Sequence, residues 1–188
     1  MKRLDVSATL LGVAALLYPL MALVLVRLLG PLWVVGGLCV LLILRFWIGW
    51  ARKAPLALTL ALAGVAGAMA LSATYDAQLA VRLYPAFMNA ALLAAFVLSL
   101  ARGPSLIERL ARLHEPDLPP SGVRYTRRVT WVWAIFFAMN GVAALWTALF
   151  ADWHVWTLYN GLIAYVAMAI LFGGEFLIRQ LVRKRAGA

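Results

Sequence analysis

Long apolar stretches, separated by short polar breaks, run along the whole chain. The stretch from Leu56 to Leu71 is apolar at every position apart from small residues and Thr59. A helix needs about 20 apolar residues to cross a hydrocarbon core of about 30 Å, whereas a strand of a membrane barrel has about 10 residues of alternating polarity. The pattern therefore predicts an all-α, polytopic bundle of membrane helices.

Six apolar stretches predict about six transmembrane helices in a single domain that covers residues 1–188. Gly30-Pro31 predicts a tight turn after the first helix, because Pro is tolerated at the first position of a helix and Gly just after its end. The longest polar segment, 102–128, is predicted to be a loop. The predicted spans are 7–26, 31–50, 55–73, 84–101, 129–151 and 156–178.

Lysine and arginine residues lie almost entirely on one side of the predicted spans. With the N-terminus inside, the outer loops hold only Arg27 and Arg82. Because basic residues in short loops are retained on the cytoplasmic side, both termini are predicted to be cytoplasmic. We therefore expect a multi-pass protein of the bacterial inner (cytoplasmic) membrane.

The composition argues against several classes of function. The chain is 65% hydrophobic and 13% charged, and its formal net charge is +10. The basic residues flank apolar spans instead of forming a stripe on a water-exposed fold, so we expect no binding of nucleic acid. The single cysteine, Cys39, excludes a disulfide framework and a thiolate metal site.

The predicted loop contains the signature of a short helix. Ser105 and Glu108 have the spacing of a capping box, in which each side chain satisfies a backbone amide at the start of a helix. Apolar and charged residues then fall on opposite faces, which predicts a short interfacial helix between helices 4 and 5. The apolar face consists of Leu106, Ile107, Leu110 and Leu113, and the polar face of Glu108, Arg109 and Arg112.

Arginines of the same loop are candidate contacts for anionic lipid headgroups or for an acidic partner protein. Their charge is suited to phosphate and carboxylate groups at a membrane surface. The simpler alternative is that they only anchor the loop on the cytoplasmic side. The candidate contacts are Arg109, Arg112, Arg124, Arg127 and Arg128.

Polar residues inside the predicted spans form a second set of candidates. An unpaired amide or carboxyl group in hydrocarbon costs free energy, so such a group faces a partner or a cavity. One interpretation is packing between helices, and the other is an intramembrane site for a lipid or an acyl chain. For Glu175, an ion pair with Arg179 is a further explanation. The set consists of Asn89, Asn140, Asn160 and Glu175.

No motif in the chain indicates an enzyme. There is no serine nucleophile elbow, no pair of catalytic carboxylates and no glycine-rich phosphate loop. His114, Glu115 and Asp117 lie in one short segment, but they lack the ligand spacing of a metal site. We therefore expect no catalytic residue, no metal and no cofactor.

Several segments of the second half carry a family resemblance: Pro104–Leu110, Leu118-Pro119, Trp133–Phe137 and Gly141. In these segments the chain resembles the bacterial intracellular septation protein A family of inner-membrane-spanning proteins. It also looks like a branch of short membrane proteins found with fatty-acid-like or aryl-polyene synthesis genes. The resemblance implies a small multi-pass protein of the cell envelope, and it offers no catalytic residues to transfer.

Two hypotheses for the function follow. The first is a non-enzymatic inner-membrane protein that supports cell-envelope biogenesis or division through lipid or protein partners. The alternative is a small transporter, or a protein that handles lipids or acyl chains through the polar intramembrane residues. The predicted partners are membrane lipids with anionic headgroups, envelope-biogenesis or lipid-synthesis proteins and, because six short helices enclose little interior, a second copy of the chain.

Overall fold

The computed structural model describes residues 24–26, 28–51, 56–113 and 115–186, and every regular element in them is helical. A π-helical segment, Tyr159–Ile163, joins the last two helices. The first predicted span, 7–26, and the chain termini lie mostly outside these residues. The helices are α1 (Pro31–Ala51), α2 (Leu56–Tyr75), α3 (Ala77–Arg102), α4 (Leu106–Arg112), α5 (Pro120–Phe150), α6 (Trp153–Leu158) and α7 (Ala164–Ala186).

Three helical stretches within the described residues are long and apolar enough to cross a membrane. They are Ala77–Arg102, Pro120–Phe150 and Trp153–Gln180. These stretches confirm the predicted all-α class and are the expected feature of a membrane protein. The six-span arrangement, the position of the termini and the identity of the membrane stay predictions.

The predicted turn at Gly30-Pro31 is present. Residues 24–26 and 28–29 are helical, and the amide of Gly30 donates a hydrogen bond to the carbonyl oxygen of Val26 at 3.1 Å. Gly30 has a φ of 84°, in the left-handed region that favours glycine after the end of a helix. Pro31 is the first residue of α1. The amide at this position has no partner within a helix, so the missing amide hydrogen of proline costs no hydrogen bond.

Helix α3 begins earlier than the predicted span at position 84. Asp76 caps it by accepting hydrogen bonds from the amides of Gln78 and Leu79, at 2.8 and 3.2 Å. Pro85 lies inside the helix. Arg82, predicted in an outer loop, therefore lies within α3.

Helix α5 also begins earlier, at Pro120 instead of position 129. Proline is tolerated at the first position of a helix, and Pro120 occupies this position in α5, so residues 120–128 are helical. Its 31 residues give a length of about 46 Å at about 1.5 Å per residue. The segment predicted as the loop 102–128 thus holds the short predicted helix α4 and the first turns of α5.

The described helices form two apolar clusters around α3, which packs against α1, α2 and α5. One cluster lies between α1, α2, α3, α5 and α6 and includes Met69 and Trp156, both fully buried. The other contains Phe96, Trp133, Ala134 and Phe137. Helix α7 is peripheral, because only 11% of its apolar stretch is buried, against 44% for α3 and 39% for α5.

Candidate functional site

Asn89 on α3 and Asn140 on α5 are buried and hydrogen-bonded to each other. Asn140 donates from Nδ2 to Asn89 Oδ1 at 3.1 Å, and its own Oδ1 accepts a hydrogen bond from the Tyr159 hydroxyl at 3.0 Å. Asn89 donates in turn to the carbonyl oxygen of Pro85 at 2.8 Å. The helices approach closely here, since a Cβ atom at Gly141 would lie 3.1 Å from Asn89 Cβ.

Asn160 lies in the π-helical segment and makes separate contacts with α5. Its Nδ2 donates to Thr147 Oγ1 at 3.0 Å and to the carbonyl oxygen of Trp156 at 2.9 Å. Tyr159 and Asn160 therefore both bond to α5, although they are consecutive in the chain. The π-helical turn contains both residues and widens the helix at this point, an uncommon geometry that is frequent at functional positions.

Arg82, which the predicted spans placed in an outer loop, lies within α3 and contacts the end of α5. Its Nη2 donates to the carbonyl oxygen of Thr147 at 2.7 Å and also to that of Ala151. The guanidinium lies 5.6 Å from the ring centroid of Trp153, and the carbonyl oxygen of Arg82 accepts from Trp156 Nε1 at 3.0 Å. Arg82 thus joins α3 to the end of α5 and to α6. The sequence signal that identifies this position is Asp76, a favoured capping residue before an apolar run.

Glu175 lies apart from the asparagines. Its Oε1 and its carbonyl oxygen are each 3.4 Å from the hydroxyl of Tyr125, which donates to them. Tyr125 precedes Asn140 by about four helical turns on α5, a distance of about 22 Å. The expected ion pair between Glu175 and Arg179 is not formed in the described part of the chain. The four candidate intramembrane residues therefore do not share one site.

Helix α4 lies against α5 through Leu106 and Ile107, which pack on the cluster that contains Trp133. Ser105 caps α4 by accepting from the amide of Glu108 at 3.4 Å. The predicted division into faces holds only in part. Leu110 and Leu113 are 51% and 72% exposed, whereas Glu108, predicted on the polar face, is buried. Glu108 is tolerated there because Arg112 forms an ion pair with it at 2.8 Å.

The five candidate arginines fall into two groups. Arg112 binds Glu108 and also donates to the carbonyl oxygen of Pro116 at 3.0 Å. Arg109 donates to the carbonyl oxygens of Pro104 and Gly103, at 2.9 and 3.4 Å. These two side chains hold the segment around α4 in place.

The second group, which we call the α5 arginines, lies on the first turns of α5. These side chains are exposed and make no hydrogen bond or ion pair with another described residue. A guanidinium group presents five donors in a planar fork that suits phosphate and carboxylate groups. The α5 arginines are therefore the part of the candidate set with free binding capacity. They are Arg124, Arg127 and Arg128.

The short acidic segment after α4 offers no metal site in the described residues. His114 lies outside them, and no group of three or more His, Cys, Asp or Glu side chains comes together in the parts of the chain that the structure covers. The exposed Glu115 and Asp117 therefore contribute charge at this end of the molecule and no assembled ligand set.

Comparison with known proteins returns no relative. No protein-family model, no curated protein and no solved structure matches the chain. The resemblance to the septation protein A family therefore stays a prediction.

Proposed function

We propose that this chain is a non-enzymatic protein of the bacterial inner membrane that supports cell-envelope biogenesis or division by holding lipids or partner proteins. The proposed contact surface is the end of the molecule that bears the α5 arginines. The observation that supports this proposal is the contrast between the two candidate sets. The α5 arginines are exposed and unpaired within the described residues, whereas the buried asparagines bond to other groups of the protein.

The arginine side chains are suited to this role by their chemistry. Arg stays positively charged at any physiological pH and binds phosphate or carboxylate groups through two parallel hydrogen bonds. Both a lipid headgroup and an acidic protein segment carry such groups. A helix end with several unpaired guanidinium groups is therefore a contact surface for an anionic partner.

The alternative is a transporter or a protein that handles acyl chains through Asn89, Asn140, Asn160 and Glu175. Such a site needs polar groups that face a common cavity. Here each of the three asparagines donates a hydrogen bond to another group of the protein. Glu175 bonds with Tyr125, which lies about four helical turns from Asn140 along α5. These contacts favour a packing role for the asparagines, so the alternative has less support.

Native mass spectrometry of the protein released from its own membranes tests the proposal. We expect the wild-type protein to retain a lipid or a polypeptide partner, and the triple variant R124Q/R127Q/R128Q to lose it. The control R102Q/R179Q removes two positive charges from exposed positions at the same end, and it is compared with the double variant R124Q/R128Q. The proposal is wrong if the triple variant is folded and retains the same partners as the wild-type protein.

A further inference from the structure

The length of α5 shows how far its first turns project beyond a membrane. Exposed aromatic residues, which prefer the membrane interface, lie near both ends of its apolar stretch. They are Trp131 at one end and Trp146 and Phe150 at the other. Trp131 and Phe150 are about 28 Å apart along the helix axis, which matches a hydrocarbon core of about 30 Å. The residues that precede Trp131 therefore lie outside the hydrocarbon.

Arg127 and Arg128 lie at the depth of the lipid headgroups, and Arg124 lies just beyond them, from where its long side chain can extend back to the phosphates. Arg128 and Arg124 precede Trp131 by about 5 and 10 Å along the helix axis. The headgroup region extends about 5–7 Å beyond the hydrocarbon on each side. Arg127 lies between them, and residues spaced by three and four positions share one face of a helix. The three guanidinium groups can thus reach phosphates of one leaflet from one face of α5.

Helix α4 lies at about the same depth as the first turns of α5. Its Leu106 and Ile107 pack on the cluster around Trp133, which lies within a turn of Trp131. Leu110 and Leu113, farther along, are mostly exposed. Exposed apolar side chains beside arginines at headgroup depth are characteristic of a segment that lies in the membrane interface.

We infer that the α5 arginines bind the phosphates of anionic phospholipids in the surrounding leaflet, while Leu110 and Leu113 of α4 insert among the acyl chains of the same lipids. This inference rests on the proposed function and names its partner as a lipid. Net negative charge favours these lipids over zwitterionic ones, since each basic residue near an anionic surface contributes about 1 kcal/mol. Arg109 and Arg112 do not belong to the lipid site, because their donors are used within the α4 segment.

Lipid retention by the purified full chain tests the inference. The protein is placed in nanodiscs of phosphatidylcholine mixed with phosphatidylglycerol, and native mass spectrometry gives the ratio of the two lipids that remain bound on release. We expect the wild-type protein to enrich phosphatidylglycerol. R124Q/R128Q should lower the enrichment by about fivefold for each arginine removed, the equivalent of about 1 kcal/mol each.

A matched double variant distinguishes specific lipid binding by the α5 arginines from a general effect of positive charge at this end of the protein. R102Q/R179Q also removes two exposed arginines at this end, but from α3 and α7. It should lower the enrichment of phosphatidylglycerol by less than R124Q/R128Q does. An equal loss in both double variants, or a wild-type protein with no preference for phosphatidylglycerol, would overturn the inference. If lipid preference is absent while R124Q/R127Q/R128Q loses a polypeptide partner in cells, the inference fails and the proposed function stands.

Discussion

The guanidinium group of Arg82 on α3 donates a hydrogen bond to the carbonyl oxygen of Thr147 on α5, at a distance of 2.7 Å. The carbonyl oxygen of Ala151 accepts a second bond from the same nitrogen. The last carbonyl groups of a helix have no partner within the helix, and a helix C-terminus attracts positive charge. Arg82 therefore satisfies the end of α5 with a side chain from a neighbouring helix.

Replacing Arg82 should weaken the contact between α3 and α5. We expect R82Q to lower the free energy of unfolding by about 2 kcal/mol, since hydrogen bonds of charged groups contribute about 1.5–3 kcal/mol. R82K keeps the charge but not the planar fork, so its stability should be intermediate. Denaturant titration in detergent micelles measures both variants. R102Q, an exposed arginine at the other end of α3, is the control, and equal stability of R82Q and R102Q would contradict the prediction.

The bond between Asn89 and Asn140 should appear as an energetic coupling. In a double-mutant cycle of N89A and N140A, we expect a coupling of about 0.6 kcal/mol, which is the average for hydrogen bonds between membrane helices. N89A and N160A should instead have additive effects, because Asn160 bonds to Thr147 and Trp156. Additivity of N89A and N140A would show that their hydrogen bond does not stabilise the fold.

Gly141 should resist replacement by alanine more than Gly174 does. Alanine is about 1 kcal/mol more favourable than glycine inside a helix. At Gly174 the new Cβ meets nothing within 4 Å, whereas at Gly141 it lies 3.1 Å from Asn89 Cβ. We therefore expect G174A to raise the denaturant concentration at the midpoint of unfolding. G141A should not raise it, because the close contact with Asn89 offsets the higher helix propensity of alanine. Equal increases in the two variants would contradict the close approach of α3 and α5.

Loss of Arg112 should release α4 from the rest of the protein. In R112A the buried Glu108 loses its ion-pair partner, which is strongly unfavourable. Hydrogen exchange of the α4 amides should become faster than in R109A, whose lost bonds go to carbonyl groups of an exposed turn. E108L/R112A removes both charges and should restore slow exchange. Fast exchange in this double variant would contradict the explanation.

Asp152 should make the fold sensitive to acid. The backbone amide of Val155 donates to its carboxylate at 2.8 Å and lowers the pKa of Asp152 below its ordinary value of 3.8. A depressed folded-state pKa contributes stability above the unfolded-state value, and this stability is lost as the pH falls through the folded-state value. D152N keeps a capping side chain that does not titrate.

The wild-type protein should therefore lose more stability than D152N as the pH falls below about 4. Unfolding midpoints of both proteins, measured from neutral pH down to about pH 3, test this expectation. Parallel curves for the two proteins would show that the carboxylate of Asp152 does not contribute.

Two helix starts show why the sequence interpretation succeeded only in part. Hydropathy located α3 and α5, but their first turns are less apolar than their centres and were assigned to loops. For α3, the predicted span began at position 84, although Asp76 provides the cap. For α5, the predicted loop extended to position 128, although Pro120 occupies the first helical position.

The sequence by itself determined the all-α class, the apolar helices and the residue types at the arginine-bearing end, because these depend on local hydropathy and charge. Only the tertiary structure decided which polar groups pair. The buried Glu108 pairs with Arg112, and Arg82 reaches the end of α5, while the α5 arginines bond to no other residue that the structure describes. Membrane helices are apolar on every side, so their sequence pattern does not specify which neighbour each polar side chain meets.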